Sequence, residues 1–148
     1  MSVVENWLDR LAWITIVAIV VSPPAIAAGQ REVFTARLTA VPVDTVTVRS
    51  TTGSGTVSAI LQGSTLTLTG KFDDMNSPAT VARVHRAPKG LRGPSVFDLT
   101  ITKATSGSIE GTLKLTPAQV EELARGWYYV QVHTQLNPDG QLRGWLLK

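Results

Sequence analysis

The last stretch of the chain, Trp127 to Leu147 (WYYVQVHTQLNPDGQLRGWLL), constrains the fold more than any other. Tyr128, Val130 and Val132 alternate with Trp127, Tyr129, Gln131 and His133. A period of two in aromatic and β-branched residues predicts a strand with its side chains sent to opposite faces. Asn137-Pro138-Asp139-Gly140 predicts the turn, because proline presets φ at the second turn position and glycine tolerates the left-handed conformation that follows. Leu142, Gly144 and Leu146 then return on one face, with Arg143 and Trp145 on the other. The stretch reads as one β-hairpin, and a hairpin with an apolar face needs a sheet to close against.

The same alternation recurs upstream. Phe34, Ala36, Leu38 and Ala40 share one face of a run over Val33 to Ala40, which Pro42 interrupts. Thr45 to Arg49 is a short β-prone run. Thr56 to Leu61 and Thr65 to Phe72 predict a hairpin around Gln62-Gly63-Ser64. Its second arm sets Leu66, Leu68, Gly70 and Phe72 against Thr65, Thr67, Thr69 and Lys71, one face apolar and one hydroxylated. Ala79 to His85, Val96 to Thr102 and Ser108 to Leu115 complete the strands. Thr116-Pro117-Ala118-Gln119 predicts a helix start, with threonine as N-cap, proline at the first helical position and glutamine placed for a capping box. Gly126 is placed to end that helix. Short strands at near-regular spacing with one short helix predict an all-β domain, an antiparallel Greek-key β-sandwich, with a small barrel as the alternative.

Residues 1–28 read differently. Leu11 to Val21 is an uncharged apolar run, broken by Pro23 and Pro24. Ser2 and Glu5 have capping-box spacing. A helix over residues 3–21 would be roughly 28 Å long, close to the roughly 30 Å of bilayer hydrocarbon. Trp7 and Trp13 would then sit at the membrane interface. This predicts an uncleaved anchor spanning the lipid bilayer. The alternative is a signal peptide cleaved near Ala27, which the small residues Ala25 and Ala27 allow but the acidic Glu5 and Asp9 disfavour. Either way the domain is expected outside the cytoplasm. The expected division is 1–28 membrane helix and proline break, 29–32 linker, 33–148 β domain.

Composition removes several function classes. There is no cysteine among the 148 residues, so thiolate chemistry and Cys-based zinc sites are excluded. A formal charge of +3 is too mild, and the aromatics too tied to strand positions, for a nucleic-acid partner. No Gly-x-Ser-x-Gly, P-loop or dinucleotide fingerprint occurs. Neither catalysis nor a cofactor is expected.

Six segments resemble the CHRD domain, the module named after chordin and widespread in bacterial secreted proteins. They are FTARL (Phe34 to Leu38), VPVDT (Val41 to Thr45), PATVARVH (Pro78 to His85), GPSVFDL (Gly93 to Leu99), GTLKLTPAQVEEL (Gly111 to Leu123) and YVQVHTQLNPDGQLRG (Tyr129 to Gly144). Their order and spacing carry the resemblance, which implies an extracytoplasmic all-β domain without enzyme activity. It also implies an Ala-His-Ile-His strand before a basic loop. This chain has Ala82, Arg83, Val84 and His85 there, so Arg83 stands where the first histidine would, which weakens any metal role that a histidine pair would suggest.

Two groups of residues are candidate sites. His85 and His133, the only histidines, lie near strand ends on the polar phase of their strands. A metal usually takes three or four protein ligands, and a third would have to come from Asp98, Asp73, Asp74 or water. The ligand count therefore favours a hydrogen-bonded structural pair over a metal site. Asp73 and Asp74, being adjacent, are expected to make a turn contact. Arg83, Arg86, Lys89 and Arg92 fall within ten residues and form a candidate surface for an acidic partner or anionic lipid headgroups, the alternative being a solvated loop. Together these features predict a non-catalytic, membrane-anchored accessory subunit whose extracytoplasmic domain packs on a larger membrane protein complex, respiratory or photosynthetic. The competing expectation is a free exported binding module for a protein or polysaccharide.

Overall fold

The computed structural model describes residues 29–41, 45, 48 and 51–148. Among these residues lie eight strands and one helix: β1 Arg31–Ala40, β2 Ser54–Gln62, β3 Thr65–Asp73, β4 Ala79–Arg86, β5 Ser95–Ile101, β6 Gly107–Lys114, α1 Pro117–Ala124, β7 Tyr128–Thr134 and β8 Leu142–Trp145. The anchor helix expected over residues 3–21, with Trp7 and Trp13, lies outside the described residues. Among those described, no helix is long and apolar enough to cross a membrane. Of the β-prone run Thr45 to Arg49 only Thr45 and Val48 are described, and neither belongs to a strand.

The strands close into a barrel in the order β1-β2-β3-β6-β5-β4-β7-β8, every neighbouring pair antiparallel. Strands β4, β5 and β6 follow one another as hairpins, and β3 lies beside β6, which is a Greek key. The expected sandwich is corrected to the closed barrel. The reason lies in two corner strands. β1 pairs with β2 from Arg31 to Leu38, then turns to β8 at Thr39 and Ala40, and a further bridge joins Thr35 to Leu147. β5 pairs with β4 up to Leu99, then with β6 at Thr100 and Ile101. Each corner strand bonds into both sheets, so neither sheet is left with a free edge. The expected linker is also shorter. Arg31 and Glu32 already pair with Gln62 and Leu61 and belong to β1.

Alternation fills the interior. On β3, Leu66, Leu68 and Phe72 are buried while Thr67, Thr69 and Lys71 are exposed. Phe34, Leu38, Val57, Ile109, Val130, Val132, Leu142 and Leu146 join them in one core. Each large apolar side chain so buried contributes about 1.5–3 kcal/mol. Gly144 lets β8 cross β1 closely, since a Cβ there would lie 2.4 Å from the Arg37 carbonyl oxygen. The α1 start forms as its sequence predicts. Gln119 N donates to Thr116 Oγ1 (3.3 Å) and Thr116 N to Gln119 Oε1 (2.9 Å), satisfying two otherwise orphaned donors. Arg125 caps the far end, followed by Gly126 at φ 72°. Leu123 is the helix residue fully buried in the core.

Candidate functional site

The outer side of β4, β7 and β8 departs from the plan of the rest of the barrel. On β7 the inward residues Tyr128, Val130 and Val132 are buried, as expected. The outward residues Tyr129, Gln131 and His133 are buried as well, at 1%, 4% and 7% exposure. Strand pairing lays this face out in rows. One row is Asp98, Arg83, Gln131 and Arg143; a second is His85, Tyr129 and Trp145. His133 lies opposite Val81.

Two loops fold over this face. The segment between β4 and β5 returns onto Tyr129: Gly93 N donates to Tyr129 Oη (3.1 Å), and Tyr129 Oη donates back to Gly93 O (3.4 Å). Only glycine permits this return, because a Cβ at Gly93 would sit 1.8 Å from Arg86 O. Trp145 Nε1 donates to Ala87 O at 3.3 Å. The turn Asn137 to Gly140, closed by Gly140 N donating to Asn137 O (3.1 Å), covers the other end. Gln131 Nε2 donates to Asp139 O at 2.9 Å. The fully buried Gln141 anchors that turn. Its Nε2 donates to Thr52 O (2.5 Å) and Asn76 Oδ1 (3.0 Å), and its Oε1 accepts from Thr134 Oγ1 (3.2 Å) and Asn137 Nδ2 (2.5 Å).

Within the cluster, His85 stacks on Tyr129 with ring centres 4.9 Å apart and planes 9° from parallel. Trp145 packs against the same tyrosine at 5.0 Å. The Arg143 guanidinium lies 5.0 Å from the Tyr129 ring centre and 5.9 Å from that of Trp145, and its Nε donates to Gln131 Oε1 at 2.9 Å. Cation–π attraction strengthens when the cation is desolvated, and Arg143 is buried. Burial lowers its pKa, nearby Arg92 acting in the same sense and Tyr129 against it.

The structure brings His85 and His133 together, with ring centres 6.0 Å apart. The expected bond between them is not formed, because a backbone carbonyl claims each ring first. His85 Nδ1 donates to Gly93 O at 2.9 Å and His133 Nδ1 to Pro138 O at 2.7 Å. Each Nδ1 therefore carries the proton and each Nε2 keeps its lone pair. Burial pushes both histidines below the ordinary imidazole value. For His85 the Gly93 carbonyl opposes this while His133, Arg143 and Arg83 add to it. For His133 the Pro138 carbonyl and Asp139 oppose it while Arg83 and Arg143 add to it. Burial thus favours the neutral form of both rings.

The basic group divides. Arg83 Nε pairs with Asp98 Oδ1 at 2.9 Å, and Arg86 pairs with Glu122, which also accepts from the Tyr128 hydroxyl at 2.8 Å. Burial and that carboxylate raise the Tyr128 pKa. Lys89 and Arg92 are exposed, make no ion pair among the described residues and flank Leu91, itself 59% exposed. Asp73 and Asp74 make a local turn: Asp74 N donates to Asp73 Oδ1 at 2.9 Å and Asp74 adopts φ 57°. No group of three or more His, Asp or Glu side chains stands together among the described residues.

A family model for the CHRD domain matches residues 34–146, from β1 to the end of β8. The chain belongs to the CHRD domain family. No curated protein and no solved structure matches it. Within this CHRD domain, Tyr129, Gln131, Arg143 and Trp145 escaped selection as site residues by sequence. The available signal was their shared phase on the C-terminal hairpin, where an arginine and two aromatics fall on the histidine side.

Proposed function

We propose that this CHRD domain is a non-catalytic docking module, tethered to a membrane outside the cytoplasm by the N-terminal segment and packed on a larger membrane protein complex that it stabilises. The observation that carries this proposal is the tip of the β4–β5 loop. Lys89 and Arg92 flank an exposed Leu91, and the loop base is fixed by Gly93 against Tyr129 and His85 and by Leu91 N donating to Pro88 O at 3.0 Å. An apolar contact ringed by cations on a pre-ordered base fits an acidic partner surface, since pre-ordering lowers the entropy lost on docking. Anionic lipid headgroups would satisfy the same charges. Arg83 and Arg86, already paired, contribute little to such a surface.

The test is the intact mass of the chain from gently solubilised native membranes, with co-purifying proteins identified in the same run. A mass that includes residues 1–28, together with stoichiometric partners, supports the tethered subunit. A mass beginning near Ala28, alone in the exported fraction, replaces it with a free exported binding module. The double variant Lys89→Glu/Arg92→Glu should lose partner retention at least tenfold. Retention unchanged by the charge reversal would remove the loop from the docking surface.

A further inference from the structure

We propose that His85 and His133 together hold one copper(I) ion through their Nε2 atoms. Metal-binding histidines characteristically donate their other ring N–H to a backbone carbonyl or carboxylate, which fixes the tautomer and aims the free nitrogen. Both histidines here do so, to Gly93 O and Pro138 O. The Nε2 of His85 is shielded from solvent and has no hydrogen-bond partner, a vacancy that folded proteins seldom leave. The Nε2 of His133 has only a long contact, 3.4 Å, from the Gln131 amide. That amide is held elsewhere by Asp139 O and Arg143, so it leaves the lone pair weakly engaged. With metal–nitrogen bonds of about 2.0 Å, two imidazoles sharing one ion place their ring centres roughly 5 to 6 Å apart. The observed separation is 6.0 Å.

Ligand number and charge select the ion. No third His, Asp or Glu joins the pair among the described residues, and the chain has no cysteine. A closed tetrahedral zinc site needs four ligands. Copper(I), a d10 ion that accepts imidazole nitrogen, is satisfied by two donors in a near-linear arrangement. Arg83 and Arg143 lie close enough to act on both rings, and they oppose a doubly charged ion more than a singly charged one. The geometry thus points to the monovalent state. His85 also braces the base of the docking loop through Gly93 O, but copper retention and partner retention are read separately, and Lys89→Glu/Arg92→Glu alters the loop tip without touching either histidine.

The experiment is anaerobic copper(I) titration of the purified full chain in detergent against a chromophoric copper(I) chelator, with X-ray absorption of the loaded wild-type protein. The wild type should withhold one equivalent. His85→Gln and His133→Gln should each weaken retention at least tenfold, while Thr69→Ala, on the opposite face, should retain copper as the wild type does. The absorption spectrum should show two nitrogen neighbours and no sulfur, a result that does not depend on any variant folding. Failure of the wild type to withhold copper, equal retention by folded histidine variants, sulfur ligation through methionine, or zinc held as tightly as copper would each overturn the proposal.

Discussion

The outer faces of β3 and β7 are built on opposite plans from the same strand geometry. On β3, Thr67, Thr69 and Lys71 stand in solvent, and pairing sets Thr69 between Ser58 on β2 and Glu110 on β6. On β7 the equivalent positions, Tyr129, Gln131 and His133, are as buried as the core. The β3 face tolerates water because hydroxyls are satisfied by it. The β7 face has been dried by two loops, so every polar atom there needs a protein partner. The contrast shows that side-chain direction within the barrel does not decide burial. What the adjoining loops cover decides it, and the covered side is where buried polar and charged side chains gather.

The largest test of the contrast is truncation of the aromatic at its centre. Tyr129→Ala removes the ring that His85, Trp145 and Arg143 all pack against and leaves Gly93 N without its acceptor. Burial this complete predicts a loss of about 3–5 kcal/mol in a denaturant titration. Thr69→Ala, at an outward position of β3, should change stability by less than about 0.5 kcal/mol. A loss at Tyr129 no larger than that at Thr69 would mean the loops do not hold this face dry in solution. A smaller effect is expected for Gln131→Leu, a change of similar volume. It strands Arg143 Nε and Asp139 O without their present partners, predicting a loss of about 2 kcal/mol. Equal stability of this variant and the wild type would show that water reaches both groups.

Acid should also separate the two faces in the metal-free protein. Both folded histidines lie below the ordinary imidazole value, chiefly through burial, with Arg83 and Arg143 acting on both, His133 on His85, and Asp139 on His133. Unfolding returns each to about 6.5, so the unfolded chain binds more protons below that pH. Stability is therefore whole above about 6.5 and declines as pH falls from there through the folded values. The His85→Gln/His133→Gln variant should show a flatter stability profile between neutral and mildly acidic pH. An unchanged slope would place the titrating groups elsewhere.

Much of the fold was legible because local pattern and global fold agree. The alternation Leu66, Leu68, Phe72 against Thr67, Thr69 is the β3 burial pattern itself, and Thr116 to Gln119 forms the capping box its spacing predicts. Closure into a barrel was not legible. It depends on β1 and β5 changing partners part-way along, and no local run of residues encodes that. The histidines stood out by type, but their convergence depends on the register that sets His85 opposite Tyr129 and Val81 opposite His133. Arg143 and Gln141 were hidden for a related reason. In the run Gln141-Leu142-Arg143 they read as ordinary outward polar residues, and only the packing of Tyr129, Trp145 and Gln131 around Arg143 and of Thr52, Asn76, Thr134 and Asn137 around Gln141 makes one a buried cation and the other a buried clamp.

The smallest expected effect sits where the covered face meets solvent. Arg83 and Asp98 share a row with Gln131 and Arg143, yet their side chains are 42% and 78% exposed. Exposed pairs of this kind contribute about 0–1 kcal/mol, because water and salt screen the attraction and ordering two side chains costs entropy. Asp98→Asn should therefore cost less than about 1 kcal/mol, and that loss should shrink further in high salt. A loss approaching that of Gln131→Leu would move the boundary of the dry face outward by one strand, making Asp98 the counter-ion of the whole cluster.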